Sequence, residues 1–208
     1  MKIIEPSAKL IDDINAAEIY AKIERCGRVS HQSQPREETV GEIVRNDSAI
    51  PFIRKIISLG HESVLEHVSL TFRVICDRAI QNELVRHRHA SFTVESTRYV
   101  KYDDLIFIKP TFKKHSSEIV FQEIAEHAER AYREMLSDGE PPEQARAVLP
   151  LCLKSELYMA ANLREWRHIL KLRTSKAAHP QMRQIMNQIL AVFRDKLPVI
   201  VEDIKGGD

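Results

Sequence analysis

Apolar residues recur at helical spacing in three stretches of this chain and alternate strictly in one. Ile50, Ile53 and Ile57 follow Asp47 and Ser48, either of which can cap a helix, with Pro51 in the first turn and Gly60 past the end. Across residues 117–136 a second stripe of Val120, Ile124, Ala128, Ala131 and Met135 predicts a helix closed by Gly139 and Pro141. Pro180 opens a third, with Met182, Ile185, Ile189 and either Val192 or Phe193 facing inward until Pro198 stops it. Val68, Leu70, Phe72, Val74 and Cys76 alternate with Ser69, Thr71, Arg73 and Ile75, the two-residue period of a half-buried strand. Residues 105–108, just before Pro110, and 151–161 are further strand candidates. Asn162 reads as a helix N-cap with Glu165 three positions on, a capping-box spacing. Helix outweighs strand and the two do not alternate regularly, so the expected class is α+β and not a doubly wound sheet.

Composition narrows this picture without redirecting it. The 208 residues carry no repeat, low-complexity tract or Gly/Ser linker, and the whole of 1–208 is read as one domain. Lys and Arg number 31 against 30 acidic residues, which gives no reason to expect a nucleic-acid or membrane partner. No apolar run nears the roughly 18–20 residues of a membrane helix, and the start lacks a basic-then-apolar signal pattern, so the cytoplasm is the expected location. Cys26, Cys76 and Cys152 form no CxxC pair and read as structural or incidental, Cys76 as buried apolar filling.

One cluster stands apart. Residues 80–85 read as a short helix leading into Arg86-His87-Arg88-His89. Four successive cationic side chains cannot share one helix face, so part of the run leaves the helix, and their mutual repulsion calls for an anion or acid nearby. Residues 90–99 come next, rich in hydroxyls and carrying Arg98, as in a loop that binds phosphate oxygens. Two other readings stay open from the residues alone. One is a solvated basic helix end, favourable to the helix dipole. The other is a nucleic-acid-binding module using residues 86–89 and the Lys113-Lys114 pair. His61 with Glu66-His67 fits neither HExxH nor HxxEH, so no metal ion is expected.

Arg-His-Arg followed after seven residues by Ser, here Arg86-His87-Arg88 and Ser96, resembles the signature of the flavin-dependent thymidylate synthases. Arg98-Tyr99 is similar to the residues just beyond that serine in the family. Gly60-His61-Glu62-Ser63 with Glu66-His67 resembles the Gly-His-Glu segment, and residues 145–150 resemble the Ala-Arg-x-x-Leu-Pro segment. Asn162-Leu163-Arg164, His168 and Leu172-Arg173 resemble the last block, and Gly27-Arg28-Val29-Ser30 is a looser match near the start. The order agrees from about Arg28 to Val192.

The resemblance implies a single α+β domain built on a central, mostly antiparallel sheet with several helices, assembled as a homotetramer with shared active sites. It implies FAD as cofactor, dUMP as substrate, and NADPH and methylenetetrahydrofolate as co-substrates. A methylene group passes to uracil C5 and is reduced to methyl with hydride from reduced flavin, redox chemistry that no side chain supplies. In that likeness Arg173 is the catalytic residue, a guanidinium that stabilises negative charge on the pyrimidine, since it cannot act as a base. His61, Ser63, Arg86, His87, Arg88, His89, Val94, Asn162, Leu163, Arg164 and His168 match the flavin side. Glu83, Arg86, Glu95, Ser96, Thr97, Arg98, Arg146 and Arg173 match the nucleotide side, with Arg98 and Arg146 on the phosphate. Taken by themselves, Glu83 is equally a helix-surface partner for an arginine, and Arg173 a cation ending the helix begun at Asn162.

Ser96 is read as a ligand, because a serine nucleophile needs a base within hydrogen-bond reach and none is evident. Val94 and Thr93 depart from the family, which commonly has Glu or Gln and Asn at these places. Val94 has no polar side-chain atom, so any contact there is through backbone, with the Glu95 carboxylate next door. Residues 176–180 lengthen the segment after Arg173, which leaves His179 and Gln181 without an assigned role.

Overall fold

The structure is a computed structural model that describes residues 1–29 and 48–207. Asp47 and Ser30, named above, lie outside the described residues. Four strands form one antiparallel sheet in the order β2 (Ser7–Leu10), β3 (Ser69–Asp77), β6 (Lys154–Asn162), β4 (Ala90–Val94). β1 (Lys2–Ile4) pairs in parallel with β5 (Ile106–Ile108) as a separate ribbon. The helices among the described residues are α1 (Ala16–Arg28), α2 (Ala49–Ser58), α3 (Arg78–Leu84), α4 (His115–Ser137), α5 (Pro142–Ala145), α6 (Leu163–Arg173), α7 (Pro180–Lys196) and α8 (Pro198–Val201). Short 3₁₀ turns at Glu62–His67 and Arg146–Val148 complete the set. The α+β class and the mostly antiparallel sheet agree with the sequence. No described helix is long and apolar enough to cross a membrane.

The alternating run at residues 68–76 becomes β3, and Leu70, Phe72, Val74 and Cys76 all turn into the main core. Burial pushes the Cys76 thiol up to about 12, as for an inert core thiol. Phe72 meets Trp166 of α6 edge-on at 5.0 Å and Phe193 of α7 at 5.9 Å, so both helices lie on one sheet face. The Trp166 indole N–H donates to Leu70 O at 3.0 Å, which keeps its single polar atom satisfied where it is buried. The α7 stripe is as read, Phe193 taking the inward place that Val192 could have filled. Leu105, Phe107, Ala125, Tyr132, Ala145 and Leu153 form a smaller second core under α4 and β5.

Two sequence readings change. On α4 the buried residues are Ala125, Ala128, Glu129 and Tyr132, while Val120 and Ile124 are each 57% exposed. The helix is present, but the small second core takes alanines and a tyrosine, and the β-branched residues turn outward. Residues 90–94, read as part of a loop, are edge strand β4, paired with β6 from Ala90↔Ala161 to Val94↔Leu157. The loop begins only at Glu95.

Candidate functional site

α3 is the pivot of the site. Asp77 caps it, its carboxylate accepting from Ile80 N at 2.7 Å, a contact worth about 1 kcal/mol to such a short helix. Gln181 in the first turn of α7 fixes that cap, donating to Asp77 Oδ2 at 2.7 Å and accepting from Asp77 N at 3.2 Å. His179 in turn caps α7 by accepting from Gln181 N at 3.3 Å. The two residues without a role in the sequence reading are therefore supports of α3. The helix ends at Leu84, and the basic run continues as turns, so it does leave the helix. Arg86, Arg88 and His89 are exposed while His87 is 6% exposed, so the run presents no continuous cationic face.

At the end of α3 stands a cluster of three. Arg173, the last residue of α6, donates from Nε to His87 Nε2 at 3.1 Å and from one terminal nitrogen to Glu83 Oε2 at 2.9 Å. Its other terminal nitrogen points to the Glu83 carbonyl at 3.5 Å. Glu83 is thus an arginine partner, as its local reading allowed, but the arginine comes from 90 residues along the chain. Burial first, then the positive charges of Arg173 and His168, lower the His87 pKa to about 4, so the ring is neutral near pH 7. With Nε2 accepting, the proton sits on Nδ1, which faces Glu165 Oε1 at 3.6 Å. The His168 ring lies edge-on to His87, centroids 6.3 Å apart.

Behind this cluster opens a cavity of about 630 Å³ lined by Glu62, Glu66, His89, Asn162, Arg164, Glu165, Arg167, His168 and Lys171. Asn162 caps α6 as read, accepting from Glu165 N at 2.9 Å. Of the residues matched to the flavin side, His89, Asn162, Arg164 and His168 line the cavity. His61 and Ser63 lie beside it, on the turn that carries Glu62 and Glu66. Leu163 is not at the wall: its side chain is fully buried in the core and its N–H donates to Val68 O at 2.9 Å. The sequence reading lacks Glu62, Glu66, Glu165, Arg167 and Lys171 as site residues. Arg164 pairs with Glu66, and Lys171 with Asp203 at 2.9 Å. Arg167, 1% exposed, binds both carboxylate oxygens of Asp203, Glu62 at 3.0 Å and the Ile200 carbonyl. Its Nε has no partner. The wall mixes amide, imidazole and guanidinium donors with the carboxylates of Glu62, Glu66 and Glu165, two of them paired to Arg167 and Arg164, and its donors with one unspent buried N–H suit the phosphates of a flat cofactor.

The second group lies toward the start of α3, at Arg78. Arg146 donates to the Thr97 hydroxyl at 2.9 Å and to Glu143 O at 3.2 Å, and Arg98 Nε lies 3.5 Å from Glu143 Oε2. The Ser96 hydroxyl accepts from Arg98 N at 3.3 Å; no histidine bonds to it among the described residues. Val94 turns its side chain against the core, and Glu95 is held by Lys154 Nζ at 2.8 Å. Neither side chain is therefore free for a ligand in this arrangement. Arg78, absent from the sequence reading, donates through one nitrogen to Gln81 Oε1 at 2.6 Å, Glu95 O at 3.2 Å and Ser155 Oγ at 3.2 Å. It shares with Thr97 and Arg146 a cavity of about 280 Å³, and its second terminal nitrogen is buried without a partner. Among the described residues, no hydrogen bond or ion pair runs directly from the Arg98 and Arg146 group to Arg173.

A family model described as "Thymidylate synthase complementing protein" matches residues 9–199. A flavin-dependent thymidylate synthase of Geobacter sulfurreducens is 35% identical over 164 residues, spanning 75% of this chain and 69% of that protein. One from Pyrococcus furiosus is 30% identical over 188 residues, spanning 86% and 77%. Among solved structures, the UMP/dUMP methylase PolB of Streptomyces cacaoi, bound with 5-Br dUMP, superposes with a TM-score of 0.80. It is 26% identical, over 97% of this chain and 96% of that one.

Proposed function

The chain belongs to the family of flavin-dependent thymidylate synthases, and from that premise we propose how its residues divide the conversion of dUMP to dTMP. It is a FAD-dependent methyltransferase. The carrying observation is that His87 and Glu83 hold the Arg173 guanidinium at two edges, one side chain away from the cavity wall.

Bound FAD supplies the hydride that turns a transferred methylene into methyl. The chain's own residues position and polarise. Arg173 lies against the pyrimidine and stabilises the negative charge that makes C5 nucleophilic, as a donor and never as a base. Arg98, Arg146, Thr97 and Ser96 take the dUMP phosphate, for which guanidinium forks and hydroxyls are suited. Arg86 reaches from the end of α3 toward nucleotide and flavin. His89, Asn162, Arg164 and His168 hold the flavin, with His61, Ser63 and Arg88 at its margin. Leu163 packs in the core at the start of α6, and Val94 and Glu95 shape the strand end that leads into the nucleotide loop.

Methylenetetrahydrofolate is the proposed carbon donor and NADPH the reductant. We also infer a homotetramer. Arg98 and Arg146 are exposed and carry no direct bond to Arg173, which suits phosphate and pyrimidine ends completed by different subunits. A cytoplasmic location accords with three unpaired cysteines, Cys26, Cys76 and Cys152.

The test is to purify the protein and record its visible spectrum. The expected preparation is yellow, bleaches with NADPH, and forms dTMP from dUMP when methylenetetrahydrofolate is added. A colourless protein that takes up no FAD and turns over no dUMP overturns the reading.

A further inference from the structure

We propose that His87 is a positioning residue for Arg173, fixing the direction of its guanidinium by accepting from Nε. This rests on the reading that Arg173 faces the pyrimidine.

A guanidinium held by one carboxylate keeps a rotation about the bond between them. Arg173 is held at two non-adjacent edges: Glu83 takes a terminal nitrogen at 2.9 Å, and His87 takes Nε at 3.1 Å. Two anchors define the plane as well as the distance. They also do unequal work. The Glu83 side chain is 40% exposed, so water competes for its bond, whereas His87 is 6% exposed. Where water is excluded, a hydrogen bond is both stronger and costlier to leave unmade.

Both ring nitrogens of His87 face residues of its own chain: Nε2 faces Arg173, and Nδ1 faces Glu165, itself a residue of the cavity wall. The histidines on that wall are His89, two residues on, and His168. The turns after α3 account for this, sending His87 inward and leaving Arg86, Arg88 and His89 exposed. The buried ring then links two walls. Glu165 stands in the first turn of α6, Arg173 at its last residue, and His87 bridges both ends of that helix from outside it. The flavin wall and the pyrimidine-directed arginine are therefore tied through one imidazole.

The experiment compares His87→Leu, His87→Gln and His87→Asn in the flavin-loaded enzyme. Flavin content per subunit, the KM for dUMP and kcat for dTMP are read separately. A misdirected guanidinium predicts a loss of kcat on the order of 100-fold in His87→Leu, with flavin content and KM near those of the parent. Gln places an amide oxygen where Nε2 stood and Asn does not, so His87→Gln recovers most of the rate and His87→Asn little. Should His87→Leu fail to fold, the Gln and Asn pair carries the same contrast.

A double-mutant cycle with Arg173→Lys, which keeps a cation but has no Nε–H for His87 to hold, supplies the readout that a merely structural role would not move. Adding His87→Asn to Arg173→Lys costs no further rate if His87 acts through the Arg173 Nε. Loss of flavin with retained dUMP binding in the His87 variants overturns the inference, as do equal rates for Gln and Asn. If Arg173→Ala alone keeps the parental rate, the reading of Arg173 has failed instead. Inactive Arg173→Ala with fully active His87→Leu sinks only the role given to His87.

Discussion

Arg146 donates to the Thr97 hydroxyl at 2.9 Å across 49 residues of chain, drawing the 3₁₀ turn after α5 onto the loop that comes after β4. Thr97 is thereby oriented; Arg146 uses one terminal nitrogen there and Nε on Glu143 O, and its side chain stays exposed to solvent. Replacing Arg146 with Ala is expected to raise the KM for dUMP by roughly 10–100-fold, the loss of one or two charge-assisted hydrogen bonds. Flavin content stays unchanged. Arg146→Lys recovers only part, because an ammonium cannot fork. Steady-state kinetics over a dUMP series checks this, and an unchanged KM in Arg146→Ala removes it from the phosphate site.

Arg173→Ala is expected to abolish dTMP formation while FAD stays bound, since its two fixed partners are Glu83 and His87 and neither is at the cavity wall. Absorbance of the purified variant decides the matter. Loss of all flavin means Arg173 has been given the wrong role.

Arg78 braces the nucleotide loop by its bond to Glu95 O, and its removal leaves that carbonyl without the donor. Ser155 Oγ still donates to Gln81 Oε1 at 2.8 Å, which limits the damage. Arg78→Ala should cost about 1–3 kcal/mol of stability and raise the KM for dUMP several-fold. Thermal unfolding and kinetics read the two effects, and a variant that loses neither shows the brace to be idle.

Arg167 is the most buried cation of the cavity wall, and Asp203 answers it with two oxygens. Asp203→Ala leaves a buried guanidinium with Glu62 as its one acidic partner and is expected to destabilise by on the order of 2–4 kcal/mol. Burial alone would raise the Asp203 carboxyl, but bonds from Arg167 and Lys171 outweigh it and hold it at about 2. Its contribution is present above the unfolded value of 3.8 and is lost only as pH falls through about 2. Denaturant titration at neutral pH measures the first effect. A shift under about 0.5 kcal/mol contradicts it.

His87 gives a second, higher window. Its folded pKa of about 4 lies below the unfolded 6.5, so the unfolded chain takes up the proton first as pH falls. Stability therefore declines from about pH 6.5 and this contribution is gone below about 4, an effect on the order of 3 kcal/mol in full. In His87→Gln this titration is absent, so Tm falls less between about pH 7 and about pH 5 than in the parent. Parallel slopes for the two proteins contradict a His87 held neutral.

The range of each interaction decides which parts of the molecule are legible in the sequence. β3, α2 and α7 are legible from one periodic stripe each and α6 from the Asn162 cap, all of them residues close in sequence. The α4 stripe misleads because its direction is set by Leu105, Phe107 and Leu153, which the helix itself does not contain. β4 reads as loop since an edge strand with Ser91 and Thr93 outward shows little apolar signal, and only its pairing with β6 makes it a strand. In the site, motifs mark Arg173, Arg146 and the basic run. Nothing local marks Arg78, Gln81, Glu165 and Arg167 because, apart from the Arg78–Gln81 bond within α3, their partners are 17 to 105 residues away. Glu165 comes closest, through its capping-box position.

The place of α3 has a consequence for how the chain tolerates change. Arg78 and Gln81 at its start serve the nucleotide loop, and Glu83 near its end holds Arg173. Successive helical residues point roughly 100° apart. One residue inserted between Gln81 and Glu83 would keep the loop brace in register and swing the Glu83 carboxylate and everything after it a quarter-turn aside. The seven residues of this helix act as a phase setting between two half-sites, tolerant of substitution on the outside and intolerant of any change in length.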